Sequence, residues 1–204
     1  MRSILRSILI TALVLCAFSA SMVRAQQVDA YLGLGTARTS STGQSINTFG
    51  DGILYATPAM GGAFENFGVN VFVNRQVGVG WTASWRAAHD YAGLQYRPAF
   101  HTFDAIFQPA KLRTKRSTPE FRAGIGFASI HFDFDDQQSC DQVPGCPSSR
   151  HFLQHLGAAT RLYVTDHVFL RPSVDIHHVN NFFLFGNNWV PRYSLSLGYS
   201  FGRQ

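Results

Sequence analysis

The chain has 204 residues, 46% of them hydrophobic and only 14% charged, with 18 phenylalanines dominating its aromatics. Its formal net charge is +5, but Arg2, Arg6 and Arg24 fall within the first 25 residues, and the rest keeps 14 basic against 12 acidic residues, a net +2. So mild a balance calls for no nucleic-acid partner, and no later stretch is long and apolar enough for a transmembrane helix.

Residues 1–25 read as a secretory signal peptide: a basic start at Arg2 and Arg6, an apolar run from Ser7 to Met22, and Val23-Arg24-Ala25 as the cleavage site. The apolar run is short for a ~20-residue membrane anchor. One domain, residues 26–204, is expected to follow.

The first strand is predicted from about Val28 to Ala37, with Val28, Ala30, Leu32 and Leu34 on one face and Asp29, Tyr31, Gly33 and Gly35 on the other. A polar loop runs from Arg38 to about Thr57. The second strand, Met60 to Val73, turns Phe67, Val69, Val71 and Val73 outward and Asn66, Gly68 and Asn70 inward. After a tight turn at Asn74-Arg75-Gln76, the third strand runs from Val77 to Ala87 with Arg86 inward, and His89-Asp90 makes a short loop. The fourth, Tyr91 to Phe107, is read with Leu94, Tyr96, Phe100 and Ile106 outward and Gln95, Arg97 and His101 inward. Pro98 suggests a bulge, and Asp104 interrupts the apolar set.

Gln108 to Pro119 is a basic, solvated connection. The fifth strand, Glu120 to Phe134, begins with Phe121, Ala123, Ile125 and Phe127 outward; its apolar set then shifts to Ile130, Phe132 and Phe134, as a bulge near Ser129 would produce. The next loop carries Cys140 and Cys146 around Pro144-Gly145, a turn that favours a disulfide in an oxidising periplasm. A zinc site would need two further ligands, so neither metal nor cofactor is expected. The sixth strand, His151 to Val164, places His155, Arg161 and Tyr163 inward; the seventh, Val168 to Val179, places Arg171, Ser173, Asp175 and His177 inward. A loop from Asn180 to Pro191 holds Phe182, Phe183, Phe185 and Trp189. These aromatics suit the lipid interface or an extracellular ligand. The last strand, Arg192 to Phe201, alternates strictly: Tyr193, Leu195, Leu197, Tyr199 and Phe201 against Arg192, Ser194, Ser196, Gly198 and Ser200.

Aromatics at both ends of an apolar face, with aliphatics between, suit a strand whose middle touches lipid and whose ends touch headgroups. The chain is therefore read as all-β, an eight-stranded antiparallel up-and-down transmembrane β-barrel. The loops after the first, fifth and seventh strands are long, which makes them extracellular and both termini periplasmic. A soluble eight-stranded barrel would turn the apolar faces inward and leave Arg86, Arg97, Arg161 and Arg171 outside.

Two stretches carry a family resemblance. Tyr163-Val164-Thr165-Asp166-His167-Val168-Phe169-Leu170-Arg171-Pro172 is similar to the tight periplasmic hairpin of small OmpA/OmpX-like outer-membrane barrels, and Leu197-Gly198-Tyr199-Ser200-Phe201 resembles their carboxy-terminal assembly signal. The resemblance implies an outer-membrane location and contact with outer-membrane lipid and lipopolysaccharide. It also implies recognition of Tyr193, Leu195, Leu197, Gly198, Tyr199 and Phe201 by the barrel-assembly machinery. Gly202-Arg203-Gln204 extend beyond the aromatic on which many members end.

An eight-stranded barrel is just wide enough for side chains to fill it. The inward set Arg86, Arg97, Glu120, Arg122, His155, Arg161, Arg171, Asp175 and His177 must pair its charges, which favours a plug over a narrow porin. If Thr165-Asp166-His167 is a three-residue hairpin loop, Arg161 faces Arg171 and His155 faces His177, and a carboxylate, Asp175 or Glu120, must separate the arginines. An enzymatic reading rests on Ile176-His177-His178-Val179-Asn180-Asn181, which is similar to the His-x-Ser-Asn motif of PagL-type lipid A deacylases. His178 and Asn181 match its histidine and asparagine, but Asn180 stands where the serine nucleophile belongs, and an amide cannot act as an activated hydroxyl. No carboxylate follows to orient His178. The expectation is a non-enzymatic barrel with a structural or loop-binding role.

Overall fold

The computed structural model describes residues 27–39, 45–47, 52–56, 60–87, 89–91, 94–133, 149–180 and 187–202. The proposed signal peptide, Cys140, Cys146, Phe182, Phe183 and Phe185 lie outside these residues.

Eight long strands build the molecule: β1 (Gln27–Ala37), β2 (Ala63–Phe72), β3 (Val77–Arg86), β4 (Leu94–Phe107), β5 (Ser117–Asp133), β6 (Ser149–Tyr163), β7 (Val168–Val179) and β8 (Trp189–Gly202). Each pairs antiparallel with the next in sequence. The barrel closes where β1 meets β8 in an unbroken register from Gln27–Gly202 to Ala37–Arg192. Closure leaves no exposed edge, the condition for a sheet to stand in lipid. Among the described residues, no helix is long and apolar enough to cross a membrane.

Alternation in β8 shows which face is which. Leu195 is 56% exposed, whereas its neighbour Ser196 is 1% exposed. Leu32, Leu34, Phe103, Phe121, Ile125 and Leu197 are likewise on the outside, while Asp29, Asn70, Glu120 and Arg161 are buried within. Such an inside-out arrangement is unfavourable in water and suits hydrocarbon, where apolar surface needs no cover.

Several local expectations are corrected. β4 has the opposite phase: Tyr96, Phe100, Thr102, Asp104 and Ile106 are buried inside, while Arg97 and Phe103 are exposed and His101 stacks on the outward rings of Trp81 and Phe127. Arg97 is therefore not a lumen residue. The fifth strand has no bulge near Ser129, because β5 keeps one register with β4 from Asp133 to Phe121 and one with β6 from Ser117 to Ile130. Ala128, Ile130 and Phe132 continue the inward set; the interior itself changes from polar to apolar. Pro98 likewise sits in an unbroken β4–β5 register opposite Ile130. The phase of β4 and the absent bulge in β5 have one cause: the lumen at this end is apolar too, so apolar side chains there do not mark the lipid face.

Within the first loop, Ser45–Ile46 and Tyr55–Ala56 form a small ladder. His89–Tyr91 is not a loop but a strand extension paired with Leu94–Tyr96. β8 begins at Trp189, inside the expected loop, and His178 and Trp189 are register partners. The connection after β4 contains a single turn of 3-10 helix, Ala110–Leu112. Pairing of β7 with β6 is interrupted at Arg171 and Pro172, consistent with the donor that proline lacks.

Candidate functional site

Among the described residues, charged and hydrogen-bonding side chains are concentrated in the interior. It has two tiers. At the long-loop end an apolar cap gathers Met60, Phe64, Tyr96, Phe100, Ile130 and Phe132 among its buried side chains. Phe64 and Phe100 have ring centroids 5.9 Å apart, Tyr96 and Phe132 5.5 Å, and the Tyr96 hydroxyl donates to Met60 Sδ at 3.4 Å. The second tier fills the middle and the short-turn end with charge.

Among the described residues, four carboxylates (Asp29, Asp104, Glu120, Asp175) and four guanidiniums (Arg122, Arg161, Arg171, Arg192) are buried there. Glu120 is the hub. Its Oε1 accepts from Arg171 Nε at 2.7 Å and lies 3.7 Å from Arg122 Nε, and its Oε2 lies 3.5 Å from Arg161 Nε. Arg161 reaches Asp29, which also accepts from Gln27 Nε2 and Ser200 Oγ, each at 2.7 Å. Arg122 donates to Asn70 Oδ1 at 2.6 Å and Thr82 Oγ1 at 3.0 Å. Aromatic faces cover the remaining guanidinium surface: Arg171 lies 4.6 Å from the Tyr31 ring centroid and Arg161 4.8 Å from that of Phe72.

His155 stands between two carboxylates, Nδ1 2.6 Å from Asp104 Oδ1 and Nε2 3.0 Å from Asp175 Oδ1. Its cross-strand partner is His177, with ring centroids 4.8 Å apart. His177 stacks almost parallel on Phe100 at 5.4 Å, and among the described residues neither of its nitrogens has a hydrogen-bond partner. His177 thus belongs to the boundary between the charged tier and the apolar cap.

Strand alternation brings these groups together, and small residues make room for them. At Gly68 a side chain would collide with the Tyr31 ring, and at Gly198 with the Phe169 ring. Of the expected lumen set, Glu120, Arg122, His155, Arg161, Arg171, Asp175 and His177 are all buried in the interior. Arg86 points inward but lies half-buried at the long-loop end, its guanidinium beside Gly62. Arg97 is on the outer face. Sequence reasoning left Asp29, Asp104 and Arg192 out of the network. Asp29 and Arg192 were on the inward phase and could have been included; Asp104 was hidden by the wrong phase of β4.

On the outside, Tyr193, Leu195, Leu197, Tyr199 and Phe201 face outward along β8, while Gly198 is buried inside. His178 lies at the rim with its ring 4.6 Å from that of Trp189 and Gln154 as its cross-strand partner. Among the described residues, no serine hydroxyl or carboxylate hydrogen-bonds His178, and no group of three or more metal-ligating side chains occurs.

Neither a known family model nor a curated protein matches the chain. Its fold does match solved structures. The outer membrane protein OprG of Pseudomonas aeruginosa superposes with a TM-score of 0.56 at 14% identity, over 88% of this chain and 97% of that one. The N-terminal β-barrel domain of OprF from the same organism gives 0.54 at 15% identity, over 87% and 98%. Ail, the attachment invasion locus protein of Yersinia pestis, solved with the heparin analogue sucrose octasulfate, gives 0.53 at 13% identity, over 86% and 98%. The chain therefore has the fold of the small eight-stranded outer-membrane barrels, the OmpA/OmpX-like class. Its apolar exterior around a polar interior is that of a membrane-spanning barrel.

Proposed function

We propose that this protein is a non-enzymatic outer-membrane barrel whose interior is sealed, with a structural role or a binding role carried by the loops at the long-loop, extracellular end. The observation that carries this reading is the balanced interior: four buried carboxylates among four buried guanidiniums, capped by packed aromatics. Charges in a narrow, low-dielectric lumen persist only when paired, which favours a filled lumen over an open channel. A void of about 10 Å³, room for about one water, lies at the level of Tyr31 and His155.

Planar-bilayer recording tests the seal. The purified barrel is expected to give no stable diffusive conductance, and large, regular steps would establish the narrow porin instead. Mass spectrometry of lipid A from expressing cells addresses catalysis. No loss of an acyl chain is expected, because Asn180 offers no nucleophile and His178 lacks an orienting acid; loss of a chain would restore the deacylase. The outer loops are the segments free to vary without disturbing the barrel, so their deletion should abolish any capture of an envelope or host ligand while leaving the fold intact. Insertion through the barrel-assembly machinery, directed by the last strand, belongs to the same reading.

A further inference from the structure

We propose that the short-turn mouth of the barrel is a binding site for a small, water-soluble phosphate ester of the periplasm. The proposal rests on the outer-membrane reading above, which places this mouth in the periplasm, and adds to it a ligand class and a place. Among the described residues, the three connections at this end (73–76, 108–116 and 164–167) carry five basic side chains, Arg75, Lys111, Arg113, Lys115 and Arg116, against one carboxylate, Asp166. Arg75, Arg113 and Lys115 line a cavity of about 610 Å³ together with Gln27, Thr118 and Tyr163. A cavity of that size suits a small organic molecule better than a bare ion. Among the described residues no carboxylate lines it. Asp29, which bonds the lining residue Gln27, is already shared with Arg161 and Ser200.

The cations are held in place by bonds that leave their charge uncompensated. Arg113 Nη2 donates to the Arg75 carbonyl at 2.8 Å and to Gln108 Oε1 at 2.7 Å, and the Gln108 amide donates to the Gln76 carbonyl at 2.7 Å. These bonds tie the β4–β5 connection to the β2–β3 turn, so Arg75 and Arg113 are brought together without a ligand, and less ordering is left for a ligand to impose. On the other side the Tyr163 amide donates to the Arg116 carbonyl at 2.8 Å. Neither bond of the Arg113 side chain is to an acid. Burial, and then the neighbouring Arg161 and Arg75 cations, hold the Arg113 guanidinium below its ordinary range, and a bound anion relieves that crowding. A phosphate monoester brings close to two negative charges and three acceptor oxygens, and guanidinium forks match phosphate oxygens. The floor decides between a soluble ester and a lipid headgroup. Gln27 and Thr118 are buried on the inner face, and Tyr163 Oη lies 3.2 Å from the buried Arg161 Nη1. The cavity is thus the mouth of the lumen and not part of the lipid-facing wall, and its ligand enters from water.

Isothermal titration calorimetry of the folded protein in an uncharged detergent tests this with three probes: glycerol phosphate, glycerol, and a short-chain phosphatidylglycerol. Wild-type protein is expected to bind glycerol phosphate more tightly than either of the others. Arg75→Gln/Lys115→Gln should bind it roughly tenfold or more weakly; this variant keeps the Arg75 backbone carbonyl that holds Arg113. Lys111→Gln/Arg116→Gln removes the same charge from side chains that do not line the cavity, and should bind as the wild type does. Absence of glycerol phosphate binding overturns the proposal. Equal losses in the two charge-matched variants also overturn it, since they mean a diffuse positive field and no site, and a preference for the phosphatidylglycerol assigns the cations to a lipid headgroup instead. The comparison of probes on wild-type protein stands even if a variant fails to fold. Heat-modifiable gel mobility separates the two levels of failure: no phosphate ester binding by a heat-modifiable barrel removes this site alone, whereas loss of heat-modifiability in the wild type removes the barrel reading itself.

Discussion

Glu120 is a single carboxylate shared by three guanidiniums, and the consequences of removing its charge are severe. In Glu120→Gln the amide cannot balance Arg122, Arg161 and Arg171, which stay buried. Breaking a buried ionic cluster from one side costs about 3–5 kcal/mol. We expect Glu120→Gln to lower the urea midpoint of the heat-modifiable band by a corresponding amount. His177 behaves in the opposite way. Its nitrogens have no hydrogen-bond partner among the described residues and its ring stacks on Phe100, so His177→Phe should be neutral or stabilising by about 1 kcal/mol in the same assay. A marked loss would mean that the imidazole nitrogens matter after all. The hub role of Glu120 was partly legible in the sequence, since opposed Arg161 and Arg171 require a carboxylate. The part played by Asp29, the acidic partner of Arg161, was not, because those two residues are 132 positions apart and meet only when the barrel closes.

A strand here is a two-sided object, and the two sides answer to different solvents. On β8 an arginine in place of Leu197 would face hydrocarbon, at about 2–4 kcal/mol near the midplane. We expect Leu197→Arg to reduce the folded fraction in lipid vesicles, while Ser194→Ala, on the lumen side, changes it little. Equal effects would contradict the assignment of faces. The faces of β7 and β8 were legible because polar and apolar residues alternate from Leu170 to His177 and from Arg192 to Ser200, whereas β6 is less regular, with Leu153 and Ala159 on its inner face and Gln154 and Thr160 on the other. Those of β4 were not. Tyr96 and Phe100 point into the apolar cap, while Arg97 and His101 point out, so both faces mix the two kinds of residue. The informative residue was Asp104: a carboxylate does not sit on a lipid-facing set, and taking Asp104 as inward would have corrected the whole strand. The same apolar cap accounts for the false bulge in β5, since Ile130 and Phe132 are lumen residues. The balance of polarity along the lumen, and not only across the strand, has to be read before faces are assigned.

At the scale of the whole molecule, the barrel is held together by contacts that are remote in sequence. Ser200 bonds Asp29 across 171 positions, and Ser196 bonds Asn66 across 130. Loop-closure entropy opposes such pairings until the rest of the barrel is in place. Contacts such as Ser200–Asp29 and Arg161–Asp29 therefore form only once β1 reaches β8, whereas the Glu120 and His155 pairs join strands β4 to β7 and need no closure. The β1–β8 seam also has a geometric corollary. Gln27 and Gly202 are register partners, so their backbones run about 5 Å apart. The start of the first strand and the end of the last therefore lie side by side. Where the chain is opened should matter little: a permutant in which a short linker joins residue 202 to residue 27, with new ends cut in the loop between β1 and β2, is expected to keep its heat-modifiable mobility. A permutant that never closes would show that the native ends themselves, and not the ring of paired strands, dictate the fold.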